Sequence, residues 1–213
     1  MGPPAFVEFT LGKLFSYCKG HEKGAFTNGP AFKDLPNPTI DLICPECGPS
    51  GSTMKLHHTQ VGPNESKDRF PNLTWKAVDG AKEYILLCED VDLPISFVVF
   101  HGLFYGIPGT TTAVTADDMD PVDAAADAKK SNGPYRARGG FKYLKNIQGS
   151  HYGGPKPVMG HGPHRYYYQL VALKAPVDTD KMGKITKDAL GTAIVGNVVG
   201  WGRWIGVFER KWE

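Results

Sequence analysis

The chain is short of cysteine, of long apolar runs and of charge of one sign, and each shortage excludes a class of protein. Four cysteines in 213 residues do not make the disulfide framework that small secreted domains use in place of a core. No segment approaches the ~18 unbroken apolar residues of a membrane-spanning helix. The opening "MGPPAFVEFTLGKLFSYCKG" lacks the basic start and apolar stretch of a secretory leader. A soluble, cytoplasmic protein is therefore expected. The 24 basic and 22 acidic side chains leave a formal charge of +2 and form no basic stripe, so nucleic acid is not an expected partner. Internal repeats and linkers are also missing, so one domain over 1–213 is expected.

What the chain does have is turn punctuation: 26 Gly and 17 Pro, scattered among apolar runs in a strand-rich pattern. "LGKLFSYCKG" suggests a short helix closed by Gly20, and residues 21–60 suggest loops and short strands. "NLTWKAVDGAKEYILLCEDVDLP" suggests a hairpin turning at Asp79-Gly80, and "ISFVVFHGLFYGIPG" a central strand interrupted at His101-Gly102. Residues 110–145 change to an acidic, then basic composition and suggest a surface insert with one helix starting at Pro121. "RYYYQLVALKA" and "GRWIGVFERKWE" suggest two more strands, with Trp201 and Trp204 in the core. Between them residues 187–199 suggest a helix capped by Thr186.

Polar groups stand where these apolar strands end or break: Asp90 and Asp92, His101, and His164-Arg165-Tyr166. Such groups are expensive to bury unpaired, which points to the lining of a cavity. Cys44 and Cys47, in "CPEC", suggest two ordinary loop thiols. A zinc site needs a second ligand pair, and His57 and His58 are adjacent in sequence. His151 and His161 suggest surface residues. No Ser or Cys stands beside a His with a visible third partner, so covalent catalysis is unsupported. If any group gives acid-base help, it is His101 or His164.

Three stretches carry a family resemblance. "CEDVDLP" resembles the acidic DPDxP motif of the phosphatidylethanolamine-binding proteins, the family that includes the Raf kinase inhibitor proteins. "FHGLFYGIPG" resembles their HW-x-x-x-x-IP strand, and "YGGPKPVMGHGPHRYYYQLVAL" their long GP-x-PP…HRY signature. The resemblance implies a mainly β fold: a large central antiparallel sheet, a second small sheet and peripheral helices. It also implies a pocket for a small anionic ligand, phosphate or carboxylate, lined by Asp90, Asp92, His101, Tyr152, Gly154, Pro155, Lys156, His164 and Tyr166, with no cofactor and no metal. The aspartates would orient imidazoles whose other N–H faces the ligand, and Arg165, on the opposite side of the strand, would anchor the acidic segment.

The departures are informative. Val91 replaces the usual Pro between the aspartates and Leu93 follows the second. Gly102 stands where a bulky aromatic is usual, which would enlarge the pocket. Lys156 replaces a small residue or Cys, and Val158 the second Pro. A rim ammonium would favour a carboxylate or dicarboxylate. Three roles follow: a non-catalytic anion-binding module; a regulatory inhibitor of a kinase or protease; or an accessory protein or enzyme in fungal polyketide biosynthesis of the maleidride type, where related proteins assist dimerisation of anhydride units beside other biosynthetic enzymes.

Overall fold

A computed structural model describes residues 4–62, 68–131 and 133–212. In chain order its main elements are helix α1 (Ala5–Leu14), strands β1 (Leu73–Thr74), β2 (Glu83–Asp90), β3 (Val99–Pro108) and β4 (Ala113–Val114), and helices α2 (Ala116–Met119) and α3 (Ala124–Lys129). Strands β5 (Tyr135–Arg136), β6 (Lys142–Leu144) and β7 (His164–Leu173), helix α4 (Lys187–Ala193) and strand β8 (Val198–Phe208) follow. Six strands form one antiparallel sheet in the order β5-β6-β3-β2-β7-β8, and β1 pairs with β4 in a small second sheet.

The sheet is covered on both faces. Leu86, Cys88, Phe104, Tyr166, Tyr168 and Trp204 pack on one face, and Ile85, Leu87, Leu103, Tyr105, Val171 and Trp201 on the other. Every residue of β2 is buried, which is why its sequence reads as an unbroken apolar run rather than an alternation.

Four local expectations need correction. The N-terminal helix covers 5–14, not 11–20, because Gly12 belongs inside it: a Cβ there would lie 2.0 Å from the Met159 carbonyl oxygen, so only glycine lets α1 lie on that loop. Asp79-Gly80 turns, with Gly80 at φ 79°, but no hairpin follows, since β1 pairs with β4 instead. Pro121 sits in a bridge to Ala137, and α3 starts later, where the Asp123 carboxylate accepts from the Ala126 N–H. The Thr186 cap is as expected, but α4 ends at Ala193 and Val198 already belongs to β8. The segment 110–145 places Met119, Phe141 and Tyr143 in the core and supplies the edge strand β5 and its neighbour β6.

Candidate functional site

The site lies at the end of the sheet where β2, β3 and β7 meet. Asp90 is opposite Tyr166 across the β2–β7 ladder. Alternation then places Asp90, Tyr166 and His164 on the same face, and turns Arg165 away.

His101 reaches this face through a defect in the ladder. Glu89 pairs with Phe100 and Cys88 with Gly102, so His101 is the extra residue of a β-bulge. Phe100 packs on the Leu103 face and the neighbours of Gly102 lie on the Tyr166 face. The bulge re-aims the imidazole, which meets the Tyr166 ring edge-on at 5.2 Å between centroids. The His101 Nδ1–H donates to the Gly153 carbonyl at 2.6 Å. Asn146 donates to the His101 carbonyl and accepts from the Gln148 and Ser150 backbone N–H groups, so its loop is fixed to the bulge. Burial lowers the His101 pKa, against the nearby Asp90 carboxylate, which raises it.

Asp90 and His164 are both inside the protein. The His164 Nδ1–H donates to Asp90 Oδ2 at 2.9 Å, and the other Asp90 oxygen accepts from the Asp92 N–H. His164 Nε2, expected to face a ligand, instead meets His161 Nδ1 at 2.7 Å. His161 Nε2 in turn lies 3.1 Å from the Cys18 carbonyl. His161 is thus no surface residue: only 1% of it is exposed. Burial, then the neighbouring His164 and Lys19, lower its pKa.

Asp92 is also spent on structure. Arg165 grips it with Nε at 2.7 Å to Oδ2 and a terminal nitrogen at 2.7 Å to Oδ1, and the N–H groups of Arg165 and Gly20 supply two more bonds. Burial would raise the Asp92 pKa, but these contacts hold it below the usual carboxylate range. Arg165 therefore anchors the acidic segment as expected, and Asp90 alone orients an imidazole.

Tyr166 completes this face. Its hydroxyl is buried with no hydrogen-bond partner among the described residues, and burial, with Asp90 beside it, pushes its pKa well up. Tyr152 points elsewhere: its hydroxyl shares a 2.8 Å hydrogen bond with that of Tyr168 in the core. The space above Gly102 is not open either, since a Cβ there would meet the Tyr152 and Phe104 rings at 3.1 Å. Gly102 is thus packed against these rings rather than facing open space. Gly154 donates its N–H to Asp68 at 2.7 Å and lies so close to the His58 carbonyl that a Cβ would be 2.3 Å from it. Pro155 is buried, and Lys156 is exposed with its charge acting on Glu8. A groove of about 630 Å³ opens on the other face of the sheet beside Tyr105, Tyr135 and Lys142.

The N-terminal segment is the part that sequence reasoning missed. Glu8 accepts from the Met159 N–H and pairs with Arg210, and Lys19 donates to the His161 carbonyl. Together with Cys18 and Gly20 these contacts strap residues 8–20 across the loop before β7. The close-approach glycines, Gly12 in the helix and Gly160 in the loop, were the available signal.

This architecture and these motifs agree with the comparisons. The sequence profile of the phosphatidylethanolamine-binding protein family matches residues 46–209, and the chain belongs to that family. It is 36% identical over 97% of its length, and 82% of the relative's, to phomoidride biosynthesis cluster protein B of Talaromyces stipitatus. A second fungal protein of the same name is 32% identical, over 97% of this chain and 96% of that one. Among solved structures, Escherichia coli YbcL superposes with a TM-score of 0.58 at 23% identity, over 81% of this chain and 99% of that one. A phosphatidylethanolamine-binding protein homologue from Chlamydia trachomatis gives 0.59 at 18%, over 82% and 99%. These two show the shared fold.

Proposed function

We propose that the chain binds a small oxyanion, carboxylate or phosphate, between His101 and Tyr166, and serves as an accessory protein or enzyme in fungal polyketide biosynthesis of the maleidride type. The observation that carries the binding half is the buried, unpartnered Tyr166 hydroxyl beside an imidazole whose Nδ1 is already committed to the Gly153 carbonyl. A buried donor without an acceptor costs about 1–3 kcal/mol, and an oxyanion would remove that cost. His101 Nε2 supplies the second contact. With Nδ1 holding the proton in the neutral ring, Nε2 must take up a proton to donate to an anion.

The biosynthetic half rests on the two fungal relatives named for phomoidride biosynthesis, each aligned over 97% of this chain. A dicarboxylate or anhydride-derived acid is the ligand class that joins the two halves. Should the role include chemistry, His101 is better placed than His164 to move a proton, because both nitrogens of His164 are engaged.

Calorimetric titration with small dicarboxylates and with phosphoethanolamine tests the reading. Dicarboxylate binding that is lost in both His101→Ala and Tyr166→Phe supports it. Binding of phosphoethanolamine alone would return the chain to the general anion binders, and no binding of either at millimolar concentration would remove the anion site.

A further inference from the structure

"CPECG", residues 44–48, reads differently once folded. The Gly48 N–H donates to the Cys44 carbonyl at 3.0 Å, and Gly48 adopts φ 101°, a left-handed conformation that glycine takes without cost. The turn thereby closes into a knuckle. Cys44 is buried, Cys47 half-buried, and neither is in a disulfide.

The imidazoles come from the tight 3-10 turn Leu56–His58. Adjacent residues on such a turn ordinarily diverge, but here the rings of His57 and His58 tilt together, 4.0 Å between centroids. Both Nε2 atoms lie 3.6 Å from the same Glu46 oxygen, and the donor atoms of Glu46, His57 and His58 all fall within 4.8 Å of one another. A separation of 3.6 Å is too long for a good hydrogen bond. It is close to the edge of a coordination tetrahedron, about 3.4 Å for metal–ligand bonds of about 2.1 Å.

The supporting contacts are those of a ligand set. His58 Nδ1–H donates to the Arg69 carbonyl at 2.9 Å, which fixes the tautomer and leaves the Nε2 lone pair free. The His58 side chain is 1% exposed, yet Nε2 has no hydrogen-bond partner. The remote Glu46 oxygen accepts from the Asn72 N–H at 2.6 Å, so the near one is held facing the imidazoles. A buried imidazole nitrogen 3.6 Å from a carboxylate oxygen, with no hydrogen-bond partner of its own, is an arrangement that a cation between them would complete.

We propose that Glu46, His57 and His58, completed by the Cys47 thiol, bind one thiophilic divalent cation of the zinc class. Four protein ligands make this a closed, structural site. It would staple the 44–48 knuckle to the 56–69 segment, whose His58 carbonyl and Asp68 carboxylate back onto Gly154. The site stands independently of what the anion pocket binds.

The test uses the full chain, reduced and stripped with a chelator, then titrated with Co²⁺ and separately with Zn²⁺. About one metal per chain is expected, with thiolate-to-cobalt charge-transfer bands, tetrahedral ligand-field absorption and a rise in Tm on reloading. Cys47→Ser, His58→Ala, Glu46→Gln and His57→Ala should each weaken retention more than tenfold. Absence of the charge-transfer bands in the wild-type chain overturns the proposal even where a variant fails to fold. So does equal metal retention by wild type and Cys47→Ser.

Discussion

His161 Nδ1 and His164 Nε2 lie 2.7 Å apart, in a chain of contacts running from the Asp90 carboxylate to the Cys18 carbonyl. Both ends of this chain only accept. Three hydrogen bonds require three N–H groups, and two neutral imidazoles own two. A chain bonded at all three contacts therefore needs one extra proton, which the burial of His161 disfavours. Breaking the chain leaves buried polar atoms unmatched. His161→Ala should cost about 1–3 kcal/mol in urea unfolding, and His161→Gln, whose amide can still donate, less. Equal stability of His161→Ala and wild type would show that the chain is not closed in solution.

Acid should loosen the fold. Burial, the largest influence on both His101 and His161, lowers their pKa values. The unfolded chain then binds more protons between those lowered values and about 6.5. Stability from these two groups is complete above about pH 6.5 and declines as pH falls through the folded values. His58 runs the other way: burial lowers its pKa, but contacts with Cys47 and the Arg69 carbonyl raise it overall, so its contribution is lost as pH rises. Urea midpoints from pH 7.5 to 5 should therefore fall, and His101→Ala should flatten the decline. An unaltered slope in that variant would remove His101 from the linkage.

The acidic segment depends on one side chain. Asp92 is 1% exposed and Arg165 36%, so removing the guanidinium strands a buried carboxylate. Arg165→Ala should destabilise by about 3 kcal/mol or more. Adding Asp92→Ala should cost much less than the sum of the two single losses. Additive losses in that double-mutant cycle would mean that the pair is not coupled.

The sequence made the strand ends legible but not what closes over them. Asp90, His101, His164 and Tyr166 could be grouped because their motifs occur in a family order, and strand alternation correctly turned Arg165 away. The bulge that brings His101 to the Tyr166 face is invisible to alternation, since it is a defect in it. His161 was misjudged because its partners are a carbonyl 143 residues distant and a histidine whose second nitrogen had been reserved for a ligand. The strap at residues 8–20 carries exposed Leu11, Leu14 and Tyr17, so it shows no clean buried stripe to read. The resemblance implied a second small sheet, but its strands could not be placed because β1 and β4 are two residues each and pair across about 40 residues of chain, below the length at which periodicity carries information.

Lys156 tests the ligand class. Its exposure means that Lys156→Ala should leave stability within about 0.5 kcal/mol of wild type. If the ammonium serves a second carboxylate, dicarboxylate affinity should fall about tenfold, equivalent to ~1.4 kcal/mol, while affinity for the monoester is unchanged. An unaltered ratio of the two affinities would leave the lysine serving Glu8, whose carboxyl it helps to keep acidic.

The sharpest expectation concerns protons rather than affinity. In the empty site His101 is neutral: burial lowers its pKa and its single proton sits on Nδ1, donated to the Gly153 carbonyl. An oxyanion at Nε2 finds a lone pair there unless a proton arrives with it. The bound anion also supplies the negative charge that an imidazolium needs, so the His101 pKa must rise on binding. Between the free and bound values the complex holds more protons than the separated partners, and linkage requires affinity to grow as pH falls through the bound value. The growth stops below the free value, where His101 is charged in both states. Calorimetry in two buffers of different ionisation enthalpy should therefore report uptake of about one proton per ligand near neutral pH. That uptake should vanish in His101→Gln but persist in Tyr166→Phe, whose effect would be a loss of affinity independent of pH. Wild-type binding with no buffer dependence would mean that the ligand brings its own O–H donor to Nε2, and so binds as an acid rather than as an anion.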